Sequence, residues 1–332
     1  LGLVAMSPPA EIWARAGTYK PTVGTGRDAT FQLVSGIAIY GGFSGTEPSR
    51  DQRNVFANVT ILSGDLLGND SATVAYDETT RSDNSCHVVT GSETDNTAVL
   101  DGFVITSGNA YSCMDGNGGG MYNYNGSPTI ANVTFNNNSA FNNGGAVYNY
   151  SYGETSSPSF TNVTLTGNSG SAGGAMCNYA YNSGTTSPVL SQVTFSGNSA
   201  SNGGALYNYA YYHCNTNPAL SNVTFNGNAA SSTGGAIYNY SDGGTVNPRF
   251  TNVTISGNTA DGTGGGMYGY TEDGARSYPT LVNCIVWNNG NGSIYNYDSY
   301  PEISYSIIEG GCPSGGSCSS LITDDPLLGA LG

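Results

Sequence analysis

The chain has 332 residues, of which 49 are glycine and 24 tyrosine, and only 9% are charged. Its formal net charge is −15 and Lys20 is its single lysine, so it offers no basic groove to a nucleic-acid backbone. No segment approaches the roughly 20 apolar residues that cross a bilayer as a helix.

The chain opens on an apolar run, residues 1–6, with neither a basic region nor a cleavage site, and reads as a processed chain or a piece of a longer one. Residues 1–110 repeat weakly and are expected to form the first coils of a longer body, with extended loops. Within them Asn58-Val59-Thr60-Ile61 echoes a unit that becomes regular further on, and Asn109 stands 29 residues before Asn138. Cys86 and Cys113 are one candidate disulfide pair.

From 111 to 310 the chain repeats. Prolines fall at 128, 158, 188, 218, 248 and 279, a step of about 30 residues, and a matching series is read at Asn138, Asn168, Asn198, Asn228, Asn258 and Asn288. After each Gly-Gly-Ala or Gly-Gly-Gly comes a large aliphatic residue, as at Val147, Met176, Leu206, Ile237 and Met267, and tyrosines fill the alternate positions. Period two marks a strand with opposite faces. The aliphatic column should face inward, which turns Tyr148, Tyr150, Tyr179, Tyr207, Tyr209, Tyr238, Tyr240, Tyr268 and Tyr270 outward as an aromatic strip, with Cys177 replacing one member. In the Pro-x-Phe-x-Asn-Val-Thr-Phe segment the apolar spacing steps by three at Asn132, Asn162, Gln192, Asn222 and Asn252, so the chain must bend there.

Three short strands and three turns account for each repeat. The predicted fold is therefore all-β: a right-handed parallel β-helix of about eleven coils, forming a rod on the order of 50 Å long. The asparagine series should form a ladder from coil to coil, and the paired glycines should supply positive φ at a corner. Residues 311–332 form a C-terminal segment in which Cys312 and Cys318 can close a local disulfide. Cys177 and Cys284 read as free buried thiols.

The Gly-Gly-Ala-aliphatic motif (from Gly144, Gly173, Gly203 and Gly234), paired with Phe-x-x-Asn (Phe135 to Asn138, Phe195 to Asn198, Phe225 to Asn228), resembles the repeats of polymorphic outer-membrane proteins. Those occur in bacterial secreted adhesins and autotransporter passengers. Leu165, Ile255 and Ile285 are read in place of the phenylalanine in other copies. The segments Glu11–Lys20, Ile39-Tyr40-Gly41-Gly42-Phe43 and Asp325-Pro326-Leu327-Leu328-Gly329 are similar to large right-handed β-helix surface proteins of environmental bacteria. The resemblance implies a bacterial extracellular or cell-surface location.

Candidate chemistry is sparse. Hydrolysis of glycosides takes two carboxylates at a set separation, whereas Glu154, Asp242 and Asp261 are the only carboxylates between 120 and 270. Arg249 is the only basic residue in that span, and His87 and His213 show no acidic partner and read as surface or turn residues. Acidic patches at Asp65–Asp70, Asp115–Asn117, Glu272-Asp273 and Asp324-Asp325 could hold calcium but match no known loop pattern; no other cofactor is expected. Asn69, Asn125 and Asn291 are candidate glycosylation sites, while the bend asparagines are expected to be buried by their ladder.

The expectation is thus a non-enzymatic extracellular structural protein, a subunit of a bacterial surface filament or adhesin rod that stacks end to end through uncapped coils. The alternative is a glycan-binding adhesin domain; a polysaccharide lyase or hydrolase is the weakest reading.

Overall fold

Apolar columns at a fixed 30-residue period leave water only if successive repeats lie flat on one another. The structure, a computed structural model, describes residues 10–113 and 115–329. The apolar run at 1–6 and residues 330–332, on which the expectation of uncapped ends partly rests, lie outside the described residues. Apart from two single 3-10 turns, Arg50–Gln52 and Thr79–Arg81, the regular structure is β-strand. The chain is a parallel β-helix. Ten parallel pairings carry one column of strands from Ala10–Arg15 to Ser317–Ser319. At the spacing of neighbouring strands that column runs roughly 50 Å.

A regular coil begins after its proline with a strand that crosses the expected bend, such as Ser159–Thr166 or Val189–Ser196. The bend is a single left-handed residue: Asn132, Asn162, Gln192, Asn222, Asn252 and Asn283 have φ between 51° and 56°. Asparagine tolerates this conformation at little cost because its short amide bonds locally. The two halves of these strands build a 19-stranded sheet. The chain then turns a corner at the buried asparagine, passes the paired glycines and enters a nine-stranded sheet that carries the tyrosines. Short pairs such as Asn215–Thr216 close the coil, in addition to the three strands expected.

Inside, the columns stand in register. Val163 pairs with Val193, Leu190 with Leu220, and Phe195 with Phe225, whose rings stack 4.6 Å apart. The aliphatic column from Val147 to Met267 is fully buried. Only the first glycine of each pair has positive φ (Gly144 at 61°, Gly173 at 65°). The second serves close approach: a Cβ on Gly145 would strike the carbonyls of Gly174 and Ser169.

Several expectations need correction. One extra residue between Glu272 and Pro279 moves the last regular coil by one. Asn289, not Asn288, therefore continues the asparagine ladder, and Val286, not Ile285, takes the phenylalanine place. Asn288 adopts φ 55° beside the ladder. Asn109 lies opposite Ser139 instead of joining the column at Asn138. The echo at Asn58–Ile61 is also one residue out of register: Ile61 pairs with Val104, so Leu62 is the core residue and buried Thr60 takes the valine place, its hydroxyl accepting from the Gly42 N–H at 2.9 Å.

The long excursions between the first rungs are fixed by arginines that sequence reasoning did not single out. Arg81 is 1% exposed, pairs with Asp70 at 3.2 Å and donates to the carbonyls of Gly108 and Asn137. Arg53 pairs with Asp101 at 2.7 Å and lies over the Tyr40 ring. Both expected disulfides, Cys86–Cys113 and Cys312–Cys318, are formed.

Candidate functional site

Each tyrosine strand alternates an inward aliphatic or asparagine with an outward tyrosine, and parallel pairing without offset stacks like on like. Val147 pairs with Met176, Asn149 with Asn178 and Tyr150 with Tyr179; the same register carries Tyr209 to Tyr240 and Tyr240 to Tyr270. The expected strip is therefore present, and it is longer than the sequence reading allowed: Tyr122 and Tyr124 extend it at one end and Tyr295 and Tyr297 at the other. Tyr152, Tyr181 and Tyr211, which the sequence places near the strip, form a third column.

The rings pack mainly against each other. Along one column the centroids of Tyr207, Tyr238, Tyr268 and Tyr295 are 5.1, 5.0 and 5.3 Å apart with planes within 6°. In the neighbouring column Tyr179–Tyr209, Tyr209–Tyr240 and Tyr240–Tyr270 are 4.7, 4.8 and 5.3 Å apart. Ring faces are thus turned to other rings, and the strip shows solvent its edges and hydroxyls. Tyr148 is buried and the other expected members are half-buried; Tyr295 and Tyr297, at the end of the strip, are exposed. Cys177 fills the place between Tyr148 and Tyr207 and is fully buried beneath the rings, on the outward face of its strand. Burial, with neighbouring phenols adding, holds Tyr148, Tyr179, Tyr207, Tyr209 and Tyr238 above the usual phenol range.

The third column changes chemistry part-way: Tyr211 is followed by Asp242 and then Glu272. These carboxylates receive hydrogen bonds from the strip. Tyr209 Oη donates to Asp242 at 3.3 Å, Tyr240 and Tyr270 both donate to Glu272, and Tyr212 donates to Asp273 at 2.8 Å. Loss of hydration, reinforced by the nearby Glu272 and Asp273 charges, raises the Asp242 pKa against the opposing Tyr209 bond. This tyrosine–carboxylate cluster was not foreseen, although the series Tyr211, Asp242, Glu272 follows from the same 30-residue step.

Two asparagine ladders line the interior. In the expected one each Oδ1 accepts from the previous rung twice: Asn168 accepts from the Asn138 backbone N–H at 3.0 Å and its Nδ2 at 3.1 Å, and Asn198, Asn228 and Asn258 repeat the pattern. The second ladder, Asn149 to Asn178 to Asn208 to Asn239 at 2.8 Å per step, went unrecognised, though alternation with Val147 already placed it inside. It stops because Gly269 follows Asn239, whose buried Nδ2 has no acceptor.

The bend asparagines correct another expectation. They do form a ladder, with Asn162 Nδ2 donating to Asn132 at 2.7 Å, but Asn162, Asn222 and Asn252 lie exposed on the surface. Of the candidate glycosylation sites, Asn69 and Asn291 are exposed, while Asn125 is half-buried and tied to the Tyr152 backbone. His87 does have an acidic neighbour: its Nε2 lies 3.9 Å from Asp115, its ring packs on Tyr122, and burial lowers its pKa. His213 sits in a turn at φ 59°. Asp65 is occupied by the backbone N–H groups of Gly68 and Asn69, and among the described residues no three His, Cys, Asp or Glu side chains converge as metal ligands do. No helix of the described residues is long and apolar enough to cross a membrane.

Residues 132–150, 192–209 and 222–240 match the repeat of the Chlamydia polymorphic membrane proteins. Each match runs from the bend asparagine, or from Gln192, through the ladder corner into the tyrosine strand. The chain is a parallel β-helix repeat protein resembling the polymorphic outer-membrane proteins. No curated protein and no solved structure matches this β-helix.

Proposed function

We propose that this β-helix is the non-enzymatic rod of a bacterial surface protein of the adhesin type, and that its tyrosine face is a contact surface. Three repeats of the polymorphic membrane protein kind on a stiff parallel β-helix carry this reading. A rod of roughly 50 Å displays a long flat face at small entropic cost, since its side chains are already ordered by stacking. The carboxylates that do come together, Asp242, Glu272 and Asp273, are bonded to phenols.

The contact is with protein. Saturated sugar rings pack on open aromatic faces, and here those faces are largely taken by neighbouring tyrosines. Edges and hydroxyls spaced at each rung suit another regular, neutral surface. End-to-end addition of β-helices into a filament is the assembly this reading favours, because each rung presents the same parallel hydrogen-bonding edge as the next. Calcium and glycans at Asn69, Asn125 or Asn291 are optional additions to it.

Electron microscopy of the protein on its native cells tests the proposal: continuous fibres with an axial repeat are expected. A Tyr179→Ser/Tyr209→Ser variant should lose lateral contacts while keeping its strands by circular dichroism. Isolated rods, or saturable binding of oligosaccharides abolished by that variant, would instead support the glycan-binding alternative.

A further inference from the structure

The tyrosine strip at rungs 209, 240 and 270 joins two features that stand apart elsewhere. From Tyr179 to Tyr297 successive ring centroids lie 4.7–5.3 Å apart, with planes tilted by 24–47°. At that same place carboxylates accept phenolic protons in hydrogen bonds, Asp242 from Tyr209 and Glu272 from Tyr240 and Tyr270. A phenol loses an electron at neutral pH only if it also loses its proton, because the protonated radical is a strong acid. A carboxylate already bonded to the hydroxyl takes that proton without any movement of heavy atoms.

We propose that this cluster is a redox-active site, at which a one-electron oxidant draws an electron from Tyr240 or Tyr270 while Glu272 takes the phenolic proton. The oxidant belongs to the class of one-electron acceptors, a high-valent metal complex or peroxidase intermediate. In the first step the oxidant gains one electron, the O–H bond breaks, and a neutral tyrosyl radical and a protonated Glu272 remain. The radical moves when a stacked neighbour gives up an electron and a proton and the first ring regains both, so nothing is consumed in transit. Two such radicals on adjacent rungs or adjacent molecules then join carbon to carbon beside their hydroxyls, and the displaced ring hydrogens return to the oxygens. In total two tyrosines and two oxidants give one dityrosine, two reduced oxidants and two protons. The site thereby directs covalent cross-linking to the strip.

Limited oxidation with hexachloroiridate(IV), followed by peptide mapping, tests this. The reagent is an anion, so attraction to the acidic cluster cannot produce the expected result. Tyr240, Tyr270 and their ring neighbours should carry the first products, ahead of Tyr305, which is 69% exposed and packs on no other ring among the described residues. Glu272→Gln still accepts a hydrogen bond but cannot hold the proton; it should slow the reaction severalfold and shift products toward exposed tyrosines. The slowing of the wild-type reaction in heavy water should shrink in that variant. Oxidation ranked by exposure alone, with Tyr305 ahead of Tyr240 and Tyr270, or an unchanged rate in Glu272→Gln, would overturn the proposal. If Glu272→Gln does not fold, the wild-type map and its heavy-water effect decide.

Discussion

Replacing Asn198 by alanine removes four hydrogen bonds from the interior at once. The Asn198 Nδ2 donates to the Leu165 carbonyl and to Asn228 Oδ1, each at 2.9 Å, and its Oδ1 accepts the backbone N–H and the Nδ2 of Asn168, each at 3.0 Å. Asn168 Nδ2 keeps the carbonyls of Phe135 and Thr166, and Asn228 Oδ1 keeps the Asn198 backbone N–H. The Asn168 backbone N–H loses its partner, and the surrounding coil excludes water because Asn168 is fully buried. An orphaned buried donor costs about 1–3 kcal/mol, and each of the three remaining lost bonds about 0.5–1.5 kcal/mol, so the sum is about 2.5–7.5 kcal/mol.

In a solenoid that loss is felt first by the rungs on either side. Hydrogen exchange should therefore accelerate at residues 165–170 and 195–200 before it does so in the N-terminal coils, and the thermal midpoint should fall. The control is Asn222→Gly, which loses an exposed side-chain bond from Asn252 at 3.2 Å and keeps a residue suited to φ 54°. It should cost no more than about 0.5 kcal/mol. If Asn198→Ala were no more destabilising than this control, the buried ladder would not hold the corner and the reasoning would fail.

Alkali provides a second test. Folded-state pKa values of Tyr179, Tyr207, Tyr209, Tyr238 and Tyr240 are raised, chiefly by burial, so the folded chain holds protons that the unfolded chain releases near pH ~10. That stability is complete below pH ~10 and is lost as pH climbs toward the folded values; tyrosinate absorbance should rise together with unfolding, not before it. Acid acts elsewhere. Glu47 receives the N–H groups of Ser44, Gly45 and Thr46, and the Ser44 bond above all lowers its pKa to about 2. The stabilisation of that loop is present above the unfolded value of ~4.3 and disappears as pH falls toward about 2, so exchange of those three amides should speed up in that window and be insensitive to it in Glu47→Gln. Finally, burial pushes the Cys284 thiol up to about 11 and the Cys177 thiol higher still. Neither should react with iodoacetamide in the native rod, and both should react in denaturant; labelling of native Cys177 would show that the tyrosine cover opens.

The linear order of residues determined the solenoid. A 30-residue step in proline, valine and asparagine admits one way to bury every apolar column, and the positions of Val163, Val193 and Val223 follow from it without reference to any distant contact. The same regularity determined that tyrosines would share one face. What it left open were choices made across rungs. A single added residue after Glu272 moved the ladder to Asn289, because register is settled by which neighbour fills the core. The bend asparagines point outward although their ladder is real, since a left-handed residue between two strand halves turns its side chain away from the interior. Above all, only the stacked coils decided that tyrosine rings would cover each other and hand their hydroxyls to Asp242 and Glu272: residues some 30 positions apart become neighbours at one strand spacing, and ring orientation is fixed by the space those neighbours leave.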